Sequence, residues 1–352
     1  MILTGGSGMI LVGVIAAVVA YFGTPLAGRL AGFLGMLDAP GDRKMHKGTV
    51  PYLGGVAILA GWLIAFLTPG TLTQSVVLVG GMTILGIVGF IDDRYDSSES
   101  RRLVVQILVA TLAYAGGVRM TPTDVAAVDF LLTILWLVGI TNAFNFMDNM
   151  DGLAAGVGGI AALFLGINGL LFGQKLVSVL GFCFAGSCAG FLRHNFHPAK
   201  IFMGDTGSLP LGFGLAVLAI KVQFPGVHPL VAAAVPVVTL GLFVIDTTVM
   251  TLGRIVRGEK VVGARLDHIS HRMLKKDFPV HRIALLMYAA AGLLGAAGLA
   301  LSQSPTDVAL PLLGVILAVG AVATFVVLRW PVLRGMQRPA VAEEAIASLA
   351  SS

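Results

Sequence analysis

Charged residues are scarce in this chain. Of its 352 residues only 12% are charged, whereas 57% are hydrophobic. A soluble domain carries roughly a quarter charged residues, so the composition excludes the two soluble domains that the length alone would suggest. The apolar residues fall in runs of about 17–25, each long enough to cross a ~30 Å hydrocarbon core as a helix. The sequence therefore predicts an all-α, polytopic integral membrane protein.

Basic residues are missing from the N-terminus, and cysteine is rare. The first Lys or Arg is Arg29, which argues against a cleavable signal peptide and favours a retained helix with its N-terminus outside. The two cysteines, Cys183 and Cys188, lie five residues apart in one apolar run. On a helix they point in different directions, which argues against a disulfide or a metal site and favours small packing residues.

The apolar runs predict about eleven spans. Ten is the alternative, because the fifth and sixth share a polar stretch from Asn142 to Asp151. The predicted spans are 8–28, 51–68, 75–92, 103–119, 128–146, 152–172, 176–192, 206–222, 229–253, 282–302 and 308–328. We expect residues 1–336 to form a single integral membrane domain and residues 337–352 a C-terminal cytoplasmic tail.

The positive charges are distributed unevenly over the loops. With the N-terminus outside, 20 of the 23 Lys and Arg residues lie on the inner side, against Arg119, Lys175 and Lys221 outside. Such a bias marks the cytoplasmic side. It predicts a multi-pass protein of the cell inner membrane with its C-terminus and nearly all its acidic, His and Asn side chains at the cytoplasmic face. The basic residues that give the net charge of +5 thus orient the protein in the lipid bilayer, so we expect no nucleic-acid partner.

Two adjacent carboxylates close the third span. On a helical end Asp92 and Asp96 share a face, and Asp93 is turned about 100° away. The alternative is an ordinary solvated helix end. However, the helix dipole is negative at its C-terminus and disfavours carboxylates there. The pair therefore suggests a bound cation, and Mg²⁺ commonly takes one or two carboxylates together with substrate phosphates.

A polar stripe separates the fifth and sixth spans. Asn142, Asn145, Asp148 and Asp151 recur at every third residue. An interhelical loop has no need of this spacing, and ionisable groups at membrane depth are costly unless they are functional. The stripe is therefore predicted to be part of a site.

The segment from Gly204 to Gly207 has the composition of a tight turn that begins a helix. Free backbone N–H groups at such a turn can bind phosphate, and Asp205 adds a carboxylate. A plain Asp or Thr N-cap explains the same residues equally well.

Cationic side chains form two further groups. In the late basic loop, His268 and His271 are three residues apart, with Arg272 beside them. Zinc is a weaker interpretation, since no Cys lies nearby. After the first span a basic loop lies at the membrane surface, where interfacial tethering is the alternative; its candidate binding residues are Lys44, His46 and Lys47. Carboxylates and cations on one membrane face suit a reaction between two phosphates, which repel each other unless they are neutralised.

Five motifs in this order resemble the polyprenyl-phosphate N-acetylhexosamine-1-phosphate transferases over nearly the whole chain. The motifs are Arg43-Lys44-x-His46 with Gly54-Gly55, Asp92-Asp93-x-x-Asp96, Asn142-x-x-Asn145-x-x-Asp148-x-x-Asp151-Gly152, Gly204-Asp205-x-Gly207-Ser208 and His268-x-x-His271-Arg272.

The resemblance implies transfer of a sugar 1-phosphate from a UDP-sugar to undecaprenyl phosphate, with UMP released and Mg²⁺ (or Mn²⁺) required. It leaves a homodimer open. The resemblance also implies a role for each group of residues. It assigns the metal to Asp205 with Asp92, and the lipid phosphate to Asp92 and Asp93. It assigns the nucleotide to Asn145, Asp148 and Asp151, with Phe202 near the uracil and Asn195 near the phosphates. The diphosphate or sugar is assigned to His268, His271 and Arg272.

The late loop favours N-acetylglucosamine as the sugar. The lipid I enzyme of peptidoglycan synthesis carries three consecutive histidines there, whereas Ile269 and Ser270 separate His268 from His271 in this chain. A phospho-MurNAc-pentapeptide transferase remains the alternative. The exact hexosamine stays open, because Arg265-Leu266-Asp267 replaces the Asp-Arg spacing of many N-acetylglucosamine enzymes.

Two other classes of protein share some of these features. A CDP-alcohol phosphotransferase shares Asp148-x-x-Asp151-Gly152, but residue 156 is Gly where that family has Arg. In addition, the next Asp after Asp151 is as far away as Asp205. A cation-coupled transporter is the non-enzyme alternative, but transporter sites cluster at the membrane midplane. Asp246 is the main carboxylate inside a span, and we expect it to brace the basic loop.

Overall fold

The structure is a computed structural model that describes residues 6–38, 48–95, 98–123, 125–261 and 266–332. These residues are mainly helical, with one short antiparallel ladder between β1 (Leu37–Asp38) and β2 (Val50–Pro51). The helices of the described part are α1 (Gly6–Leu34), α2 (Gly55–Leu63, extended by a 3-10 turn at Ile64–Leu67), α3 (Thr71–Gln74), α4 (Val76–Tyr95), α5 (Glu99–Ala115), α6 (Ala126–Met147), α7 (Leu153–Leu171), α8 (Lys175–Asn195), α9 (Asp205–Lys221), α10 (Pro229–Thr239), α11 (Gly241–Val256), α12 (Ile269–Leu274), α13 (Val280–Gln303) and α14 (Thr306–Leu328). The prediction of an all-α membrane protein is confirmed.

Each predicted span coincides with a helix. Seven helices are long and apolar enough to cross a membrane, and the bent pair α10–α11 makes an eighth. The remaining three predicted spans, 51–68, 103–119 and 206–222, correspond to the shorter α2 with its 3-10 turn, α5 and α9. The total of eleven crossings and their orientation stay predictions.

The predicted span 229–253 is not one straight helix. It bends by 73° between α10 and α11, where Leu240 leaves helical geometry with φ −90° and ψ 11°. Pro236, one turn earlier, lacks the N–H that would continue the regular ladder, and Gly241 begins the next helix. Hydropathy alone could not detect the break, because both halves are apolar.

The lipid-facing surface of the bundle is apolar. On α14, for example, Val319 is 63% exposed and Val322 is 62% exposed. Large apolar side chains without protein neighbours belong against hydrocarbon. A multi-pass membrane protein accounts for this surface.

Close contact between α4 and α9 positions the site. A Cβ at Gly89 on α4 would lie 2.1 Å from the carbonyl oxygen of Asp205, so only glycine permits this approach. On the other side of α9, a Cβ at Gly55 would lie 2.1 Å from the Cα of Gly207. The first turn of α9 is therefore held between α2 and α4, directly beside Asp92 and Asp93.

Candidate active site

The N-terminus of α9 is capped by a carboxylate from another helix. Asp93 accepts hydrogen bonds from the backbone N–H groups of Asp205 and Thr206, both at 2.9 Å, and from the Thr206 hydroxyl at 2.6 Å. The Gly207 N–H donates to the Gly204 carbonyl at 3.0 Å. The sequence suggested that this turn offers free N–H groups to a phosphate. That expectation is wrong for these three groups, because Asp93 and the turn itself satisfy them.

The Asp205 carboxylate is held in place by side chains from two helices. Asn145 at the end of α6 donates to Asp205 Oδ1 at 2.7 Å and to the Ser208 hydroxyl at 2.7 Å. Arg102 on α5 donates through one nitrogen to Asp92 Oδ2 at 2.7 Å and to Asp205 Oδ2. A single guanidinium thus joins the two carboxylates that the sequence assigned to a metal.

Asp148 interacts electrostatically with this cluster. It lies directly after α6 and is half-buried. Burial raises the pKa of the Asp148 carboxyl well above its usual value, and the charges of Asp205, Asp93 and Asp151 raise this pKa further. Ionisation of Asp148 is therefore unfavourable beside these carboxylates, and a cation in addition to Arg102 would stabilise their ionised forms.

The donor atoms suit Mg²⁺ in kind. Carboxylate oxygens are the ligands that this ion prefers. Over the described ranges, no three His, Cys, Asp or Glu side chains are arranged to hold a metal by themselves. Mg²⁺ commonly needs only one or two carboxylates, since water and substrate phosphates complete its shell. Asp92 and Asp205 therefore fit a metal site that a substrate completes.

Asp151 and Asn195 join two loops next to the cluster. Asp151 Oδ2 accepts from His197 Nδ1 at 2.7 Å and from the Ala199 N–H at 3.0 Å. The buried amide of Asn195 accepts from the Gly152 N–H at 3.0 Å and donates to the Ile201 carbonyl at 2.8 Å. Both ends of the Asn195 amide contact backbone, so this residue shapes the loop in the structure.

Asn142 and Phe202 also bind other parts of the protein. Asn142 donates to the Gln106 side chain at 2.5 Å and accepts from it at 3.3 Å. The backbone of Phe202 pairs with the segment after β2, receiving the Gly54 N–H at 2.9 Å. Phe202 is half-buried beside that segment.

His268 is fixed by Asp246. The Asp246 carboxylate lies 2.7 Å from His268 Nδ1 and accepts the Ile269 N–H at 2.7 Å. The predicted bracing contact of Asp246 is confirmed. A carboxylate can only accept, so the imidazole carries its proton on Nδ1 and leaves Nε2 as an acceptor. In addition, Ser270 donates to the Asn149 side chain at 2.7 Å and thereby attaches α12 to the loop that follows α6.

His271 and Arg272 are not the exposed cations that the sequence suggested. Both are buried, and burial lowers the pKa of His271 to about 4. His271 is therefore neutral near pH 7. Arg272 donates to the Asp267 carbonyl at 2.9 Å and to the carbonyls of three residues at the end of α14. In this structure these contacts hold the Arg272 guanidinium against the end of α14.

Sequence reasoning missed the roles of Arg102, Gln106 and His197. It counted Arg102 only as a charge that orients the chain, although Arg102 and Gln106 are four residues apart and share one face of an otherwise apolar helix. That spacing was the available signal. The candidates Lys44, His46 and Lys47 lie outside the described residues, as does Asp96.

Comparisons with known proteins agree on one group of enzymes. Residues 75–223 match the model of glycosyl transferase family 4. The chain is 35% identical to the probable undecaprenyl-phosphate N-acetylglucosaminyl 1-phosphate transferase of Bacillus subtilis (strain 168), over 75% of this chain and 76% of that protein. It is 34% identical to the decaprenyl-phosphate N-acetylglucosaminephosphotransferase of Mycobacterium leprae, over 91% of this chain and 90% of that protein. It is 33% identical to the phospho-N-acetylmuramoyl-pentapeptide-transferase of Moorella thermoacetica, over 74% and 87%.

Proposed function

Because this chain belongs to glycosyl transferase family 4, we propose that it transfers N-acetylglucosamine 1-phosphate from a UDP-sugar to a polyprenyl phosphate. An oxygen of the acceptor phosphate attacks the sugar-bearing phosphorus of the donor. The bond from that phosphorus to the bridging oxygen breaks, and UMP leaves with the bridging oxygen. The product is a polyprenyl diphosphate sugar.

The shared contact of Arg102 with Asp92 and Asp205 carries this proposal on the structural side. A transfer between two phosphates requires that their repulsion be neutralised while the attacking oxygen stays nucleophilic. Arg102 provides one fixed positive charge. Asp92 and Asp205 would hold Mg²⁺, which when bound supplies further charge neutralisation to the donor diphosphate.

Asp92 and Asp93 have different roles in this proposal. Both oxygens of Asp93 accept hydrogen bonds from the first turn of α9, so Asp93 is a positioning residue. Asp92 contacts the Arg102 side chain, and we assign it to orient the acceptor phosphate. The sequence could not separate the two.

The nucleotide is assigned to the loop region around Asp148 and Asp151. Asn145 fixes Asp205, and Asp151 fixes the loop from His197 to Ala199. His268 offers Nε2 as a hydrogen-bond acceptor, because Asp246 holds its Nδ1–H. We therefore assign His268 to a hydroxyl of the bound donor.

We further propose that undecaprenyl phosphate is the acceptor and that the site faces the cytoplasm in the cell inner membrane. The distribution of Lys and Arg supports the orientation, and the name of the Bacillus subtilis relative supports the acceptor. A homodimer stays a prediction.

Reconstituted protein tests the assignment. The purified chain is incubated with undecaprenyl phosphate, Mg²⁺ and a panel of labelled UDP-sugars, and the lipid products are identified by mass. We expect UMP release and a GlcNAc-diphosphate lipid. A competition with equal UDP-MurNAc-pentapeptide tests the alternative, and lipid I as the main product would overturn the sugar assignment. No lipid product from any donor would overturn the transferase itself.

A further inference from the structure

A cavity of about 270 Å³ lies at the ends of α11 and α14. Its lining combines apolar side chains with one cation, and it consists of Gly253, Val256, Arg257, Leu328, Trp330 and Val332. None of these residues belongs to the acidic cluster described above. A mixed lining of this kind suits a ligand with an anionic end and an apolar end.

A second guanidinium points towards the same space. Arg272 is fully buried, and its Nη2 has no hydrogen-bond partner among the residues that the structure describes. A Cβ at Gly253 would lie 2.9 Å from Arg272 Nη2 and 3.0 Å from Arg257 Nη1. Two guanidinium nitrogens therefore converge where Gly253 has no side chain. A buried donor without a partner is costly, which an anion between the two groups would relieve.

The neighbouring carboxylates do not supply that anion. Both oxygens of Asp267 bind Arg254 at 2.8 Å, and Arg257 Nη2 lies 3.1 Å from both Asp267 and Glu259. Burial first, and then the charge of Arg257, lower the pKa of the Arg272 guanidinium. Lys276 adds another positive charge at the rim, with its Nζ 4.3 Å from the centre of the Trp330 ring. The cavity is thus positively charged.

The rim of the cavity is suited to lipid. Val256, which lines the cavity, is 83% exposed. Trp330 follows directly after α14, and Trp is enriched at membrane–water interfaces. Basic pockets at helix ends near this interface bind phosphate headgroups. We propose that the cavity binds the phosphodiester of an anionic membrane lipid between Arg257 and Arg272, with the glycerol and chains against Val256 and Leu328.

Lipid retention by the full-length protein tests this site. The purified chain is equilibrated with phosphatidylglycerol or phosphatidylcholine in detergent, and bound lipid is counted by native mass spectrometry. Two variants address the cavity: Arg257→Gln removes one cation, and Gly253→Ala fills the space between the two guanidinium groups. Arg329→Gln is the matched control, because Arg329 is exposed and stacks on Phe325, 4.2 Å from the ring centre, outside the cavity lining.

We expect wild type and Arg329→Gln to retain phosphatidylglycerol in preference to phosphatidylcholine. Both cavity variants should bind phosphatidylglycerol about tenfold more weakly. If Arg257→Gln fails to fold, Gly253→Ala decides alone. Equal retention in all folded variants would overturn the proposal. Inorganic phosphate is the second probe: if it raises the melting temperature of wild type while phosphatidylglycerol shows no preference, the site binds free phosphate and the lipid assignment is wrong.

Discussion

Replacing Asp246 with Asn tests the role assigned to His268. Asp246 is 2% exposed and makes two contacts of 2.7 Å, one with His268 Nδ1 and one with the Ile269 N–H. An Asn has one acceptor and one donor in place of the two carboxylate oxygens. It can serve the Ile269 N–H only by turning its NH₂ group towards His268. The imidazole must then move its proton to Nε2 and lose the acceptor that faces the donor substrate.

The magnitude follows from the lost hydrogen bond between His268 Nε2 and a hydroxyl of the substrate. A hydrogen bond between neutral groups contributes about 0.5–1.5 kcal/mol. At about 1.36 kcal/mol for each factor of ten in rate, the loss corresponds to a fall in kcat of about 2- to 13-fold. The stability cost has a similar upper bound, because the second contact is kept. We therefore expect an Asp246→Asn protein that folds but turns over slowly.

The assay is UMP release at saturating substrates, with the melting temperature measured on the same preparation. Asp129→Asn is the matched control. Asp129 is a buried carboxylate at the start of α6, at the opposite end of this helix from Asn145. It accepts hydrogen bonds from the N–H and the hydroxyl of Thr123. The control should lose stability but keep its kcat. An unchanged kcat in well-folded Asp246→Asn would refute the assignment of His268.

Four further outcomes are expected. Asp205→Asn should reduce turnover by at least about 100-fold without unfolding, and a chelator should do the same to wild type; turnover near the wild-type rate in either case would contradict the metal assignment. Asp151→Asn should raise KM for the UDP-sugar more than it lowers kcat, because it loosens a binding loop; an unchanged KM would remove Asp151 from the donor site. For His271, whose pKa falls from 6.5 to about 4, the unfolded chain binds more protons between these values, so stability is lost as the pH falls from about 6.5 towards 4. His271→Gln should flatten that part of a plot of melting temperature against pH, whereas an identical slope would show that other groups cause it. Finally, Lys200→Cys should resist an impermeant thiol reagent in intact cells, and labelling there would reverse the topology.

Helices were predictable from sequence, because a span is a local property. Apolar runs of the required length fix where helices lie, and each predicted span coincides with one. The bend at Leu240 was not predictable in this way, since hydropathy does not register the loss of one backbone hydrogen bond. The orientation of the protein in the membrane depends on charges in the loops, so the positions of the helices alone do not determine it.

The composition of the site was predictable, but its pairings were not. Spacing placed Asp92 and Asp93 on different faces of α4, and this difference is real: one contacts Arg102, while the other caps α9. The cap joins Asp93 to Thr206, 113 residues away. No local pattern can identify a partner at that distance. Arg272 illustrates the same limit, since three of its four carbonyl partners lie 55 to 58 residues further along the chain.

The cap on α9 has a mechanical consequence. Asp93 and the close contact at Gly89 tie α4 to the first turn of α9 through backbone groups, so these two helices should move as one rigid body. Arg102 connects α5 to that body through side-chain atoms only, and side-chain links yield at much lower cost. A lipid phosphate that needs room beside Asp92 would therefore displace α5 more easily than α4 or α9.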